Sequence, residues 1–327
     1  MEVVTKKRMM IFSGSSYPEL AREVADHLGM RLGDVHLSRF ANGELYCRYL
    51  ESVRGADAFV IQSHTDTADD QMTINDHIFE QLLMLDALRR ASAKRIVAVI
   101  PFYGYARSDK KTLSREPIAA RLMADLFIAA GADRIMSVDL HTGQIQGFSD
   151  NPFDHLTALP LLTGWLHDNV PHEDLVIVSP DAGRVRLIEK FAAHLGAPIA
   201  ILHKRRVAHN VAQILEVVGD VRDRTAVLVD DMIDTAGTIT EAATVLMEHG
   251  ANRVMACATH PVLSGPAVDR LRDSAIEQLV VTNTLPIPAD KRLDKMVVLS
   301  IAPIVASALK AVFEDESVSD IFRGENV

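Results

Sequence analysis

Thr225-Ala226-Val227-Leu228-Val229-Asp230-Asp231-Met232-Ile233-Asp234-Thr235-Ala236-Gly237-Thr238-Ile239-Thr240 runs from an apolar stretch through a pair of acids and a Thr/Gly turn into helix-forming residues. That order predicts strand, loop and helix N-terminus. In an open α/β sheet, ligands bind beyond the carboxyl ends of strands, which is where this loop would stand. Ionised Asp230 and Asp231 only accept hydrogen bonds, a match for the neighbouring hydroxyls of a ribose. The backbone N–H groups of Asp234, Thr235, Ala236, Gly237 and Thr238, at the start of a helix, suit a phosphate. Gly237 lets the backbone approach an anion with no Cβ in the way. Turn and capping chemistry alone also put Asp, Thr and Gly into such loops. Three acids beside an anion site exceed what capping needs, so the loop predicts a site for a phosphorylated pentose.

Outward from this loop, the totals set bounds. A chain of 327 residues exceeds a usual single domain, so two domains of similar size are expected. The hydrophobic content of 48% and charged content of 24% are those of a globular protein. A net charge of −10 argues against nucleic acid or an anionic membrane as main partner. No apolar run approaches the roughly 20 residues of a membrane span. Residues 1–8 are polar and basic, and Met9-Met10-Ile11-Phe12 is too short for a signal-peptide core. Cys47 and Cys257 are the only cysteines and have no metal-like spacing, which fits a reduced cytoplasmic setting. Walker-type and G-x-G-x-x-G loops are absent, so nucleotide would be bound by other means.

Two segments are alike. Residues 122–141, LMADLFIAAGADRIMSVDLH, and 242–260, AATVLMEHGANRVMACATH, each read as an amphipathic helix, a Gly stop and an apolar strand ending at a His. Aligning Gly131 with Gly250, with a gap ahead of the helices, also sets residues 96–111 against 226–240. The coincidence suggests duplication of one α/β unit, although any two such units share some likeness. We place the boundary in the turn-rich Asn151-Pro152-Phe153-Asp154-His155, giving domains 1–153 and 154–327, with an apolar last helix over 301–313 that could pack back on the first domain.

Other stretches carry chemistry with a bland alternative beside it. Phe40-Ala41-Asn42-Gly43-Glu44 contains an Asn-Gly pair that commonly marks a hairpin turn. Residues 102–111, FYGYARSDKK, put rings ahead of Arg107 and two lysines, a platform for a base and its phosphates or a solvated charged face. Strand alternation turns Asp139 and His141 to one side, where they could hold a hydrated cation; a lone strand-end His is more often simply hydrogen-bonded. Pro180-Asp181-Ala182-Gly183 precedes a helix over 185–195, and its N–H groups could take a diphosphate or its metal ion. His203-Lys204-Arg205-Arg206 is basic and lies between two candidate phosphate loops.

Together these pieces resemble the phosphate-regulated ribose-phosphate pyrophosphokinases over nearly the whole chain. The resemblance rests on residues 40–44, Ser52-Val53-Arg54-Gly55, Tyr105-Ala106-Arg107, Arg115-Glu116-Pro117-Ile118, Val138-Asp139-Leu140-His141, Gln144-Ile145-Gln146-Gly147-Phe148, Val178 through Gly183, the pentose loop and Ser317-Val318-Ser319. It implies two duplicated phosphoribosyltransferase-type α/β domains, each a mostly parallel sheet flanked by helices. It also implies transfer of the β,γ-diphosphoryl group of ATP to the C1 hydroxyl of ribose 5-phosphate, releasing AMP. By position, Phe40, Asn42, Gly43, Glu44, Arg107 and Ser108 would contact ATP, the first four from a neighbouring subunit, and His141 and Asp181 would hold Mg²⁺. Lys204 and Arg206 would lie on a mobile loop over the transferring group, and Arg206 also near the pentose held by Asp230, Asp231 and Asp234 to Thr238. Ser52, Arg54, Ser317 and Ser319 would form a regulatory anion site, and the assembly would be a homo-oligomer of dimers, a hexamer.

Two features depart from the family pattern. Ser108 stands where relatives have Gln, and a hydroxyl reaches less far than an amide. Residues 64–74 form a longer segment than usual. A phosphoribosyltransferase would explain the pentose loop but not Arg107, His141 or a second α/β half. A catalytically silent regulatory paralogue, which Ser108 keeps open, would still carry Lys204, Arg206, His141 and all three loop acids.

Overall fold

Strands covered on both faces read as unbroken apolar runs, and runs such as Asp57–Ile61 and Leu175–Ser179 are buried at every position. The computed structural model describes residues 7–67, 72–171, 174–205, 214–322 and 324. It divides into two compact units, Met1–Thr157 with Thr284–Pro286 and Ile301–Val327, and Ala158–Asn283 with Ile287–Ser300.

The first unit holds a five-stranded sheet of β1 (Met9–Ser13), β4 (Asp57–Ile61), β5 (Arg95–Ile100), β6 (Arg134–Val138) and β7 (Phe153–Leu156), adjacent in that order and all parallel. Between β1 and β4 the chain makes helix α1 (Pro18–His27) and an antiparallel ribbon of β2 (Val35–Arg39) and β3 (Leu45–Tyr49). Helix α2 (Ile74–Arg90) opens with a capping box: Thr73 N–H donates to Asp76 Oδ2 at 2.9 Å, and Asp76 N–H donates to Thr73 Oγ1 at 3.3 Å. Helix α3 (Ala119–Ala130) stops at Gly131, whose φ of 120° is open to glycine. Phe12, Val60, Ala98, Ile100 and Ile135 form one sheet face, covered by Met84, Leu85 and Leu88 of α2 and Ala124 and Phe127 of α3.

The last helix, α8 (Ala302–Glu314), packs on α1. Its exposed C-terminal carbonyls meet cations, as the helix dipole favours: Lys7 Nζ donates to Phe313 O and Arg95 Nη1 to Val312 O. Asp315 next to them takes ion pairs from both Lys7 and Arg95. The cut expected after Phe153 falls inside β7, and the chain leaves this unit after Thr157. Asp154 sits in that strand because Arg134 of the neighbouring β6 pairs with it at 2.6 Å.

The second unit holds a seven-stranded sheet in the order β10 (Ile214–Val218), β9 (Ile199–Arg205), β8 (Leu175–Ser179), β11 (Thr225–Ile233), β12 (Arg253–Pro261), β13 (Ile276–Thr282) and β14 (Met296–Leu299). Every pairing is parallel except β9 with β10. Its helices are α4 (Leu159–Asn169), α5 (Val185–Leu195), α6 (Gly237–Glu248) and α7 (Ala267–Arg272). Val176, Val178, Ala226, Leu228, Val254 and Ala256 line one face, and Ile239, Ala242, Ala243 and Leu246 of α6 close over it.

The two similar sequence segments form the same unit twice. Helix α3 connects the parallel neighbours β5 and β6, and α6 connects β11 and β12. The basic run differs from expectation. His203, Lys204 and Arg205 continue β9 and pair with Glu216, Leu215 and Ile214 of β10, so Lys204 lies on a strand rather than on a loop. This ribbon forms a sheet edge, where charged residues are common. Arg206 and part of the segment 64–74, namely residues 68–71, lie outside the described residues. Among the described residues no helix is long and apolar enough to cross a membrane.

Candidate functional site

Neighbouring parallel strands deliver their following loops to the same carboxyl end of the sheet, so β8 and β11 bring two of the predicted loops together in the second unit. After β11 the chain turns through Ala236, at φ 59°, into α6, and no side chain caps that helix. A left-handed residue ahead of an uncapped N-terminus leaves donors pointing outward, the arrangement that takes anions. Thr235 and Thr238 are exposed there and Asp234 and Gly237 half-buried. The turn is held from below: Arg270 Nη1 donates to Thr235 O at 3.0 Å and Ser264 N–H to Asp234 O at 3.0 Å. A Cβ on Gly237 would come within 3.3 Å of that same Arg270 nitrogen.

The two acids of the loop are not equivalent. Asp230 keeps 22% of its side chain exposed and Asp231 7%. Asp231 N–H donates to Asp230 Oδ1 at 2.8 Å. Arg184 lies against both, Nε at 3.1 Å from Asp230 Oδ1 and Nη2 at 2.7 Å from Asp231 Oδ1. Burial first, then the neighbouring Asp231 charge, pushes Asp230 upward to about 8, against the pull of Arg184. The folded protein therefore keeps a proton that the unfolded chain sheds near pH 4. That stabilisation is complete below about pH 4 and is lost as pH rises through Asp230's folded value. Asp230→Asn, which does not titrate, should accordingly gain in Tm over the wild type as pH is raised from 5 to 9 without ligand; a constant difference would contradict this.

After β8, Ser179 and Pro180 are buried and Asp181 is half-buried. Asp181 Oδ1 accepts the Gly183 N–H at 2.7 Å, and Ser179 Oγ donates to Asp181 O at 2.5 Å, so the loop is braced with its carboxylate at the helix entrance. A 3₁₀ turn, Ala182–Arg184, leads into α5 and carries Arg184 towards the pentose loop.

In the first unit β5 and β6 likewise bring two loops together. Buried Asp109 ties them: its Oδ2 accepts from Thr142 Oγ1 at 2.8 Å and Gln144 Nε2 at 3.2 Å, on either side of the turn that follows His141. Asp139, at φ 37°, and His141 are half-buried, and His155 Nε2 accepts the Leu140 N–H between them at 3.0 Å. Fully buried His64 fixes the start of the other loop by accepting the Gly104 N–H at 3.0 Å, and burial pushes its pKa down to about 4. Of the expected aromatic platform only Tyr105 is well exposed, at 42%; Tyr103 is in the core with its hydroxyl on Ala120 O. Arg107 is exposed. Ser108 does not extend outward: Ala119 N–H approaches its Oγ at 3.4 Å and Ala120 N–H donates to its carbonyl at 3.1 Å, so it serves the uncapped start of α3.

Residues 40–44 form the tip of the β2–β3 ribbon, closed by Phe40 N–H on Glu44 O at 2.8 Å with Gly43 at φ 93°. All five residues are exposed, and the Phe40 ring is 54% exposed. Ser52 and Arg54 line a cavity of about 380 Å³ with Arg48 and Tyr49. Ser317 lines a separate one of about 430 Å³ with Lys310, and Ser319 is exposed beside it. Sequence reasoning assigned no role to Arg184, which only adjoins a predicted loop, and read Asp109 only as part of the 102–111 platform; the partners of both are distant in the chain.

Comparison with known proteins gives matches over nearly the whole chain. Residues 9–131 match the model of the N-terminal domain of ribose phosphate pyrophosphokinase, and residues 205–323 that of the phosphoribosyl synthetase-associated domain. The chain is 57% identical over 320 residues to the ribose-phosphate pyrophosphokinase of Streptomyces coelicolor, covering 97% of both chains. It is 52% identical over 323 residues to that of Mycobacterium tuberculosis strain H37Rv, covering 98% of this chain and 97% of the other. The crystal structure of the phosphoribosylpyrophosphate synthetase of Mycobacterium smegmatis superposes with a TM-score of 0.89 at 52% identity, over 94% of this chain and 100% of that one.

Proposed function

Because the chain belongs to the ribose-phosphate pyrophosphokinase family, we propose that its loops divide the family's diphosphate transfer between a pentose side and a nucleotide side. The enzyme makes phosphoribosyl diphosphate. The anomeric hydroxyl of ribose 5-phosphate attacks the β-phosphorus of ATP, the bond from that phosphorus to the α,β-bridging oxygen breaks, AMP leaves with the oxygen, and the hydroxyl proton passes to solvent. The alternatives of a phosphoribosyltransferase or a silent paralogue are not favoured, since relatives matched over 97% of both chains carry the pyrophosphokinase name.

The observation that carries the pentose assignment is the uncapped start of α6 beside the partly exposed Asp230. The helix N–H groups from Asp234 to Thr238 hold the 5-phosphate, and Asp230 accepts from the sugar hydroxyls. Asp231, nearly buried, acts through its neighbour. On the nucleotide side Arg107 neutralises phosphate, with Phe40, Asn42, Gly43 and Glu44 of a neighbouring subunit against the base, in a homo-oligomer. Ser108 contributes to that side through the geometry of α3 rather than by reaching the base.

Such transfers need little covalent chemistry, so alignment and charge neutralisation are the protein's share. Mg²⁺ would find a hard carboxylate oxygen in Asp181, at a braced loop, and a further candidate donor in His141. When bound, it supplies positive charge to the diphosphate. Lys204 and Arg206 neutralise charge building on the group in flight. Ser52 and Arg54 take a regulatory anion in their own cavity, and Ser317, with Ser319 beside it, in the other. The two free cysteines suit a cytoplasmic setting.

The test is AMP release from ATP in the presence and absence of ribose 5-phosphate. Release that requires the sugar phosphate is expected. Release independent of it, or none, would overturn the assignment.

A further inference from the structure

The Arg184 guanidinium spans the two acids of the pentose loop from a different strand-end loop, with side-chain exposures of 17% for Arg184, 22% for Asp230 and 7% for Asp231. Two adjacent carboxylates shielded from water resist being ionised together, and an ionised pair repels. A planar guanidinium offers separate N–H donors to each at fixed angles, which an ammonium cannot do. Here Nε serves Asp230 Oδ1 and Nη2 serves Asp231 Oδ1, at 3.1 and 2.7 Å. Asp231 N–H adds a second donor on Asp230 Oδ1, at 2.8 Å. The Asp230 carboxylate is thus held from two sides, which fixes the direction of its remaining acceptor positions.

From this geometry we infer that Arg184 is a substrate-positioning residue: by bridging Asp230 and Asp231 it preforms the acceptor that receives the sugar hydroxyls, and so sets the affinity for the pentose phosphate. The inference rests on the assignment of the Asp230 loop to ribose 5-phosphate. Arg184 also belongs to the turn that begins at Asp181's loop, so one side chain aligns the pentose loop with the loop offered to the diphosphate. Affinity gained by such preorganisation appears in binding of the ordered ligand and not of the partner substrate.

The test compares Arg184→Ala, Arg184→Lys and the wild type in full steady-state kinetics, with Tm measured alongside. Loss of one charge-assisted bridge should raise KM for ribose 5-phosphate about tenfold or more while KM for ATP stays within about twofold. Arg184→Lys should recover part of the loss, because a point charge relieves the repulsion without the fork. If the Ala variant does not fold, the Lys variant alone must still show the larger KM change for the pentose. A lower Tm with both KM values unchanged would mean a purely structural role and overturn the inference, as would equal changes in both. A fall in pentose KM would also overturn it, by making Arg184 a competitor for the acids. Wild-type AMP release separates the levels: if it needs no ribose 5-phosphate the site assignment fails, whereas if it does and Arg184→Ala fails to discriminate, only this inference fails.

Discussion

Replacing Lys204 by Ala should lower kcat on the order of 10²-fold or more, while the KM of each substrate moves by no more than a few-fold. The reasoning starts from where charge changes. Bound ATP and ribose 5-phosphate already carry their negative charges, so a cation that contacts them equally before and during transfer improves binding without speeding the reaction. A cation that meets the diphosphoryl group only as it leaves one oxygen for another acts on the barrier alone. We propose this role for Lys204, whose backbone is held in β9 between the edge strand β10, opposite Leu215, and β8, whose following loop carries Asp181. Steady-state and single-turnover rates of Lys204→Ala decide the matter, and an unchanged kcat would remove Lys204 from the mechanism.

Asp230→Ala should raise KM for ribose 5-phosphate by about 10²-fold and leave KM for ATP nearly unchanged. Above about pH 8, where Asp230 is ionised, two sugar hydroxyls lose a charged acceptor, at about 1.5–3 kcal/mol for such a bond, and every 1.4 kcal/mol is tenfold. Arg184 is then left with Asp231 alone, which shifts the guanidinium away from its bridging position. Asp230→Asn keeps the shape and one acceptor oxygen, so its loss should be smaller. Equal weakening of both substrates in a direct binding assay would count against the assignment of this loop to the sugar.

Local patterns made much of the fold legible. The helix Val185–Leu195 was bounded correctly at both ends because its stop is Gly196 in the left-handed region, a signal visible in one residue. The strand, turn and helix start of residues 225–240 were legible too, because they are contiguous in the chain. Failures came where long-range contacts override local composition. Three basic residues read as a loop, yet pairing with β10 makes them strand. Asn151-Pro152 signalled a turn correctly, but the short strand after it carries Asp154 and His155, whose partners Arg134 and the Leu140 N–H lie across the sheet. Tyr103 could not be told from a surface ring without knowing that Phe127 and Phe153 enclose it. Arg184 and Asp109 were hidden likewise, since a bridge between two loops has no periodicity in the chain.

The most direct test follows phosphorus. With ATP labelled in its γ-phosphoryl group and ribose 5-phosphate in excess, each AMP formed should be matched by one molecule of phosphoribosyl product retaining the label, with no ADP and no free phosphate accumulating. Label appearing in free phosphate or diphosphate instead, with ribose 5-phosphate unconsumed, would contradict transfer of an intact diphosphoryl group onto the pentose.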